Sequence, residues 1–286
     1  MCASSLDDRE ARYQIARIRA LPPLSNSIRK LLEIINSQVE SANELESLVK
    51  YDQALAVKVL KIANSTFYGC RKEVRTLAKA IVLIGFDQVK SVCLSALLVS
   101  VLSSGAPIEP VYRERLWKHS FAVSRIAMVI AGRRPWLHVE EASVLGLIHD
   151  IGLIIMALYF REQFTWVMEV SSKRNSPHWN VEMQAGLTHT ELGRILALRW
   201  ALPEMFQAVV EFHHSPDKSL AYNAETRLIH LADVLSNSTQ YPELLEDEET
   251  LASCRELHIP EDEWQEYHKD LHMIWHEIDQ LWNLLN

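Results

Sequence analysis

Apolar residues recur every three or four positions through nearly the whole chain and almost nowhere alternate, a period that suits helices and not strands. In "SIRKLLEIINS" (27–37), Ile28, Leu31, Leu32 and Ile35 share one face. Ser41 and Glu44 form a capping box ahead of Leu45, Leu48 and Val49. Asp52 caps "QALAVKVLKIAN", where Leu55, Val59, Leu60 and Ile62 face inward. Thr76 opens "LAKAIVLIG", Gly85 supplies a left-handed stop, and Asp87 starts an apolar helix reaching residue 102. These segments predict a small amino-terminal helical bundle over 15–105. "SSGAPIEP" (103–110) marks a boundary. Longer helices follow at 111–132, 140–160, 161–173, 180–200, 203–214 and 224–237, making a second lobe over 110–240. In the extension 241–286 the acidic run "ELLEDEET" (243–250) reads as a solvated loop. A last helix from 260 repeats Trp264, Tyr267, Leu271, Ile274, Trp275, Ile278, Leu281, Trp282 and Leu285. That stripe reads first as packing on the protein's own body; the sharper reading is a homodimer contact, since large aromatics are enriched at interfaces. The fold class is all-α: two helical lobes with a carboxy-terminal helix packed on the body.

Composition narrows the partners. A net charge of −8 over 286 residues disfavours nucleic acid, whose phosphates need clustered Lys and Arg. No basic stretch followed by an apolar run opens the sequence, so no secretory signal is read. The longest nearly apolar stretch is taken as "VCLSALLVSVL" (92–102), too short to span a bilayer. Cys2, Cys70, Cys93 and Cys254 lie far apart and read as free thiols in a reducing compartment. The expectation is a cytoplasmic protein that engages neither nucleic acid nor membrane.

Seven polar residues stand on the apolar faces of five of these helices. His119 lies three residues after Leu116 and four before Val123, and His149 follows Leu145 by four. His189 precedes Leu192 and Leu196, His213 follows Val209 by four, and His214 follows Val210 by four. Asp150 adjoins His149, and Asp233 follows Ile229 by four. A single histidine so placed reads as a core residue satisfied by a carbonyl. Seven together must converge on one another or on a cation, because burying such groups without partners is costly. Imidazole and carboxylate together suit iron, manganese, zinc or nickel, and helical bundles build metal centres from inward-facing side chains of several helices. His230, three residues before Asp233, reads as a supporting group. His138, His178, His258, His268, His272 and His276 lack this pattern and are expected at the surface.

The order His119, "HD" at 149–150, His189, "HH" at 213–214 and Asp233 resembles the metal-binding series of the HD superfamily. "RALPPLSNSIRKLLEIIN", "YDQALAVKVLKIANSTFYG" and "LAKAIVLIGFDQVKSVCLSALL" are similar to the amino-terminal half of the HDOD (HD-related output) domain. "LWKHSFAVSRIA", "GLIHDIGL", "THTELGRILALRWALPEMFQAVVEFHHSP" and "LIHLADVL" resemble its HD-like half, and the likeness covers 15–237. The resemblance implies two helical lobes and a regulatory role in bacterial signalling. The related HD-GYP domain hydrolyses cyclic di-GMP at a multi-metal centre, and all seven residues match its ligand series, with Asp150 as the bridge between metals. The departures are as specific. Leu153 stands where HD-GYP domains carry a lysine, Arg115 where some relatives carry a metal-binding glutamate, and no Gly-Tyr-Pro loop follows "HHSP".

The leading expectation is therefore a signalling module without catalytic turnover, retaining a divalent metal centre of two iron or manganese ions. Its ligands would be His119, His149, Asp150, His189, His213, His214 and Asp233, and its partner a signalling protein, with Phe67 and Tyr68 on a contact surface or in inter-lobe packing. The alternative is a metal-dependent phosphohydrolase acting on a nucleotide or cyclic dinucleotide, with Asp150 catalytic and Arg115, Lys118 or Arg194 replacing the lysine. A third reading is a di-iron redox protein.

Overall fold

The computed structural model describes residues 59–64, 74–85, 89, 93 and 108–285. The helices expected at 27–37 and 41–50, the Ser41 and Asp52 caps, Phe67, Tyr68 and residues 103–107 lie outside these. Of the helix expected from Asp87, Val89 and Cys93 are described, both helical and buried.

Among the described residues all regular structure is helical. Residues 59–63 are helical, with Val59, Ile62 and Ala63 buried. Then come α1 (Leu77–Ile84), α2 (Pro110–Gly132), α3 (Val139–Ile148), α4 (Ile151–Tyr159), α5 (Arg161–Arg174) and α6 (His178–Ala185). They are followed by α7 (His189–Arg199), α8 (Glu204–Phe212), α9 (Asn223–Asn237), α10 (Glu248–Glu256) and α11 (Glu261–Leu285). Thr76 caps α1 by accepting the Lys79 amide at 3.2 Å. Gly85 closes it at φ 86° and ψ 158°, a glycine conformation that is positive in φ but extended in ψ rather than the left-handed helical pair expected.

The chain divides into two compact units. One is built on Ile148–His268; the other on Pro110–Leu147, the chain from Lys269 onward and described residues ahead of 108. In the latter, α2 and α3 cross where a Cβ on Gly146 would stand 2.6 Å from Ser124 Cα, and the Ser124 and Ser143 hydroxyls share a hydrogen bond of 3.1 Å. In the former, α4 and α7 come into backbone contact. A Cβ on Gly152 would fall 1.8 Å from the His189 carbonyl oxygen and 2.7 Å from Gly193 N, and one on Gly193 would meet Val210 Cγ1 at 2.5 Å. Two glycines on facing helices thus let α4, α7 and α8 converge, which draws together the residues at the ends of those helices.

Three expected elements differ in detail. The helix predicted over 140–160 breaks into α3 and α4, with His149 and Asp150 in the turn between. Apolar residues flank the break on both sides (Leu145, Ile148, Ile151 and Ile154 are all buried), so the period runs through it unseen. The helix predicted over 180–200 breaks at Gly186, which is left-handed at φ 79°; Thr188 then caps α7 by accepting the Glu191 amide at 3.2 Å. "ELLEDEET" is no loop. It forms a 3₁₀ turn (Pro242–Glu246) and the start of α10, whose first turn holds Glu248 and Glu249, where acidic side chains suit the helix dipole.

The turn after α8 and helix α10 meet on Arg227 of α9, which is 5% exposed. Its guanidinium donates to Asn223 Oδ1 at 2.8 Å, to Ser253 Oγ at 3.0 Å and to Asp217, with Glu249 Oε1 at 3.6 Å. On α11, Trp264, Tyr267, Leu271, Ile278 and Leu281 are buried within the single chain. Among the described residues Glu141–Tyr159, longer than the stretch at 92–102, is the one segment long and apolar enough to cross a membrane, and 89% of it is buried inside the protein.

The crossing of α4 and α7 generates a sharp expectation. Gly152→Ala forces backbone against backbone and should destabilise the protein by about 3 kcal/mol or more. Gly132→Ala, at a site with nothing within 4 Å of the new Cβ, should be neutral or slightly stabilising. Urea unfolding midpoints of the two variants check this, and equal midpoints would contradict the close approach.

Candidate metal centre

Within the Ile148–His268 unit, short elements deliver polar side chains to one place. His149 and Asp150 occupy the turn before α4, His189 begins α7, His213 caps the carboxyl end of α8 with His214 next, and Asp233 lies within α9. His149 and His213 are 0% exposed, His189 and Asp233 1%, and Asp150 6%; His214 is half-buried. Six of the seven expected residues are thus gathered in one unit. His119 sits half-buried on α2 in the other.

The tightest part is a triangle. Asp150 Oδ1 lies 3.2 Å from His189 Nε2 and 3.4 Å from His213 Nε2, and the two nitrogens are 3.2 Å apart. The opposite nitrogens decide what these atoms carry. His213 Nδ1 is 3.0 Å from the Val209 carbonyl, which can only accept, so Nδ1 holds the proton. His189 Nδ1 faces both oxygens of the Glu182 carboxylate at 2.8 and 2.9 Å, and donates likewise. In the neutral rings both Nε2 atoms therefore present lone pairs to each other and to a carboxylate oxygen. A coordination polyhedron with metal–ligand bonds of about 2.0–2.2 Å has edges of roughly 2.8–3.6 Å. The triangle fits a divalent cation, which satisfies all three atoms at once; a proton on His189 serves only one contact at a time. One atom from each of Asp150, His189, His213 and His214 lies within 4.8 Å of the other three.

The second oxygen of Asp150 looks elsewhere. Oδ2 is 3.4 Å from His149 Nε2, which lies 3.8 Å from Asp233 Oδ1; Asp233 Oδ2 is 3.6 Å from His214 Nδ1. Asn237 holds Asp233 by donating to Oδ1 at 2.8 Å. His230 donates from Nδ1 to the His213 carbonyl at 2.8 Å and so steadies the "HH" turn through its main chain. Trp179 stacks on His214, ring centroids 4.3 Å apart, and covers that face.

The charges divide the histidines into two kinds. Burial pulls the His149 imidazole down, but the Asp150 and Asp233 carboxylates outweigh it and lift it to about 10. Burial opposes a rise at His189 too, and Glu182 and Asp150 overcome it. Burial keeps His213 below its ordinary value and, with His213 beside it, His214 well below; it takes His178 down to about 4. The Glu182 carboxyl, which burial alone would raise, is held below the usual range by His189.

Two of these groups correct the sequence expectation. His178, expected at the surface, is half-buried beside the cluster, its ring centroid 5.1 Å from that of His189 and its Nε2 3.8 Å from Glu182 Oε1. Glu182 was not singled out at all and is 0% exposed. Its signal was present: it sits beside Val181 and three residues before Ala185, both buried, on a helix ended by Gly186. The other five histidines expected at the surface, His138, His258, His268, His272 and His276, are exposed.

These shifts set a pH optimum in protein stripped by chelation. Between about pH 6.5 and 10 the fold keeps a proton on His149 that the unfolded chain has released, and His189 is shifted in the same direction, so stability falls as pH rises through that window. Between about pH 6.5 and 4 the unfolded chain protonates histidines that the fold keeps neutral, His178 among them, so stability falls as pH drops. Urea midpoints at about pH 5, 6.5 and 8.5 should peak at the middle value, and a steady rise to the highest pH would contradict the assignment.

Known proteins supply the context for this geometry. The chain is 24% identical over 201 residues, 70% of its length, to an uncharacterized protein of Treponema pallidum (strain Nichols), and spans 38% of that relative. An HDOD domain protein of unknown function from Geobacter sulfurreducens superposes with a TM-score of 0.79 at 23% identity, covering 96% of this chain and 99% of that one. A candidate signal transduction protein from Marinobacter aquaeolei VT8 gives 0.80 at 20% identity, covering 99% of this chain and 67% of that one. A candidate phosphohydrolase from Shewanella amazonensis SB2B gives 0.74 at 19%, covering 96% and 98%. These likenesses establish the all-helical fold. The HDOD domain profile matches residues 21–216, well over half of the sequence, and the chain belongs to the HDOD domain family.

Proposed function

We propose that this chain is a regulatory module of bacterial signalling that holds a divalent metal centre and does not turn over a substrate. The observation that carries the reading is the triangle of Asp150 Oδ1, His189 Nε2 and His213 Nε2 at 3.2–3.4 Å, kept beside a position that cannot handle a phosphate. Leu153, where HD-GYP domains carry lysine, is 1% exposed in the packed face of α4. Two of the cations offered as its replacement are engaged elsewhere: Lys118 with Glu114 at 2.6 Å and Asp279 at 2.7 Å, and Arg194 with Glu211 at 2.9 Å. The third, Arg115, is exposed.

The centre would take two ions, iron or manganese. Asp150 supports a bridging role because its two oxygens face different histidines, Oδ1 toward His189 and His213 and Oδ2 toward His149. A bound divalent cation supplies positive charge and Lewis acidity at this point. The residues themselves fasten the turn before α4 to the start of α7 and the end of α8, so the centre acts as a clasp whose state a partner protein would sense.

A phosphohydrolase acting on a nucleotide or cyclic dinucleotide is the second reading, favoured by the full ligand series and by the Shewanella neighbour. In it, Asp150 would orient the attacking water. Elemental analysis of protein purified without chelator or an immobilised-metal column separates the readings' shared premise from their difference. About two equivalents of iron or manganese are expected, with chelation lowering the melting temperature by roughly 5–15 °C and Asp150→Ala abolishing both effects. Phosphodiesters incubated with manganese should then remain intact. Turnover that Asp150→Ala abolishes would establish the hydrolase instead, and a well-folded, metal-free protein would remove both.

A further inference from the structure

We propose that Glu182 is a positioning residue for this centre: it fixes which nitrogen of His189 faces Asp150 and His213 and makes that nitrogen a stronger donor to a cation. The proposal rests on the metal reading above. Glu182 is 0% exposed, and an ionised carboxylate is tolerated there only because N–H groups compensate it. Among the described residues, its hydrogen-bond donors all come from His189. The His189 amide reaches Oε2 at 2.9 Å, and His189 Nδ1 lies 2.9 Å from Oε1 and 2.8 Å from Oε2.

Local chain geometry makes this double grip available. The left-handed Gly186 ends α6 and turns the chain back, so that residues seven apart meet. The Thr188 hydroxyl oxygen accepts from the Glu191 amide, which leaves the His189 amide, a first-turn donor without a partner inside its helix, for Glu182. Main chain and ring are thus held by the same carboxylate, and the ring cannot turn over without breaking both bonds to Nδ1. Nε2 is left aimed at Asp150 Oδ1 and His213 Nε2, each 3.2 Å away. His213 is oriented by contrast through a neutral acceptor, the Val209 carbonyl at 3.0 Å. A carboxylate behind an imidazole raises its basicity more than a carbonyl does, and partners of this kind typically contribute 10- to 100-fold to metal affinity. His178, its ring 5.1 Å from that of His189, closes the other side of Glu182.

The plain alternative is that Glu182 merely caps α7. Glu182→Gln distinguishes the two, since it keeps the shape and one accepting oxygen but removes the charge. Full-length wild type and variant would be titrated with Mn²⁺ against a fluorescent chelator and melted in excess chelator. The expected result is roughly 10- to 100-fold weaker Mn²⁺ binding with a chelated melting temperature close to wild type. Unchanged affinity, with or without a lower melting temperature, overturns the proposal and leaves the metal reading standing. Wild type that binds no Mn²⁺ removes both. Should the variant not fold, ¹⁵N spectra of Zn²⁺-loaded wild type decide: Nε2 coordination of His189 with a proton retained on Nδ1 is expected, and coordination through Nδ1 overturns the proposal.

Discussion

A carboxylate oxygen and two imidazole lone pairs held within 3.4 Å of one another in a helical core repel unless positive charge lies among them. That constraint organises the Ile148–His268 unit. Water cannot relieve it, because His213 and His189 are almost wholly buried, and rotation cannot, because both far nitrogens are engaged. A protein can meet the constraint with protons or with a metal. Protons leave a balance that shifts with pH, since the same site contains imidazoles driven up by carboxylates and others driven down by burial. A divalent cation removes that ambiguity, and the edge lengths are those a first coordination shell requires.

The backbone meets the constraint by bringing helix ends together. Gly152 and Gly193 let α4 and α7 touch at their main chains, and Gly193 also receives Val210 of α8. Because functional side chains sit in the turn before α4, at the start of α7 and at the end of α8, this single crossing fixes most of the distances in the triangle. Larger residues there would separate the helices by more than the tolerance of a metal site.

How much of this was readable in the sequence depends on the kind of signal. The helical period identified the fold class, because burial of one face is a property of the side chains alone. It also drew attention to His119, His149, Asp150, His189, His213, His214 and Asp233, because a polar residue on an apolar face is conspicuous, and the last six lie together in one unit. It missed the breaks at 149–150 and 186–188, where apolar residues continue on both sides and only the backbone changes direction. Glu182 and His178 escaped for a related reason: their significance arises only once Gly186 folds α6 back on α7, so that residues 182 and 189 face one another. The acidic run at 243–250 was misread because solvation and a helix start favour the same residues.

The buried Arg227 has a consequence for inheritance. The HDOD profile ends at residue 216, yet one guanidinium beyond it grips Asp217 on one side and Ser253 and Glu249 on the other. A cation so enclosed tolerates the loss of an acidic neighbour poorly. Changes at 217, 227, 249 and 253 are therefore energetically coupled, and exchanging the segment through α10 alone would strip the guanidinium of the Ser253 and Glu249 contacts. The segment belongs to the Ile148–His268 unit as fully as α9 does.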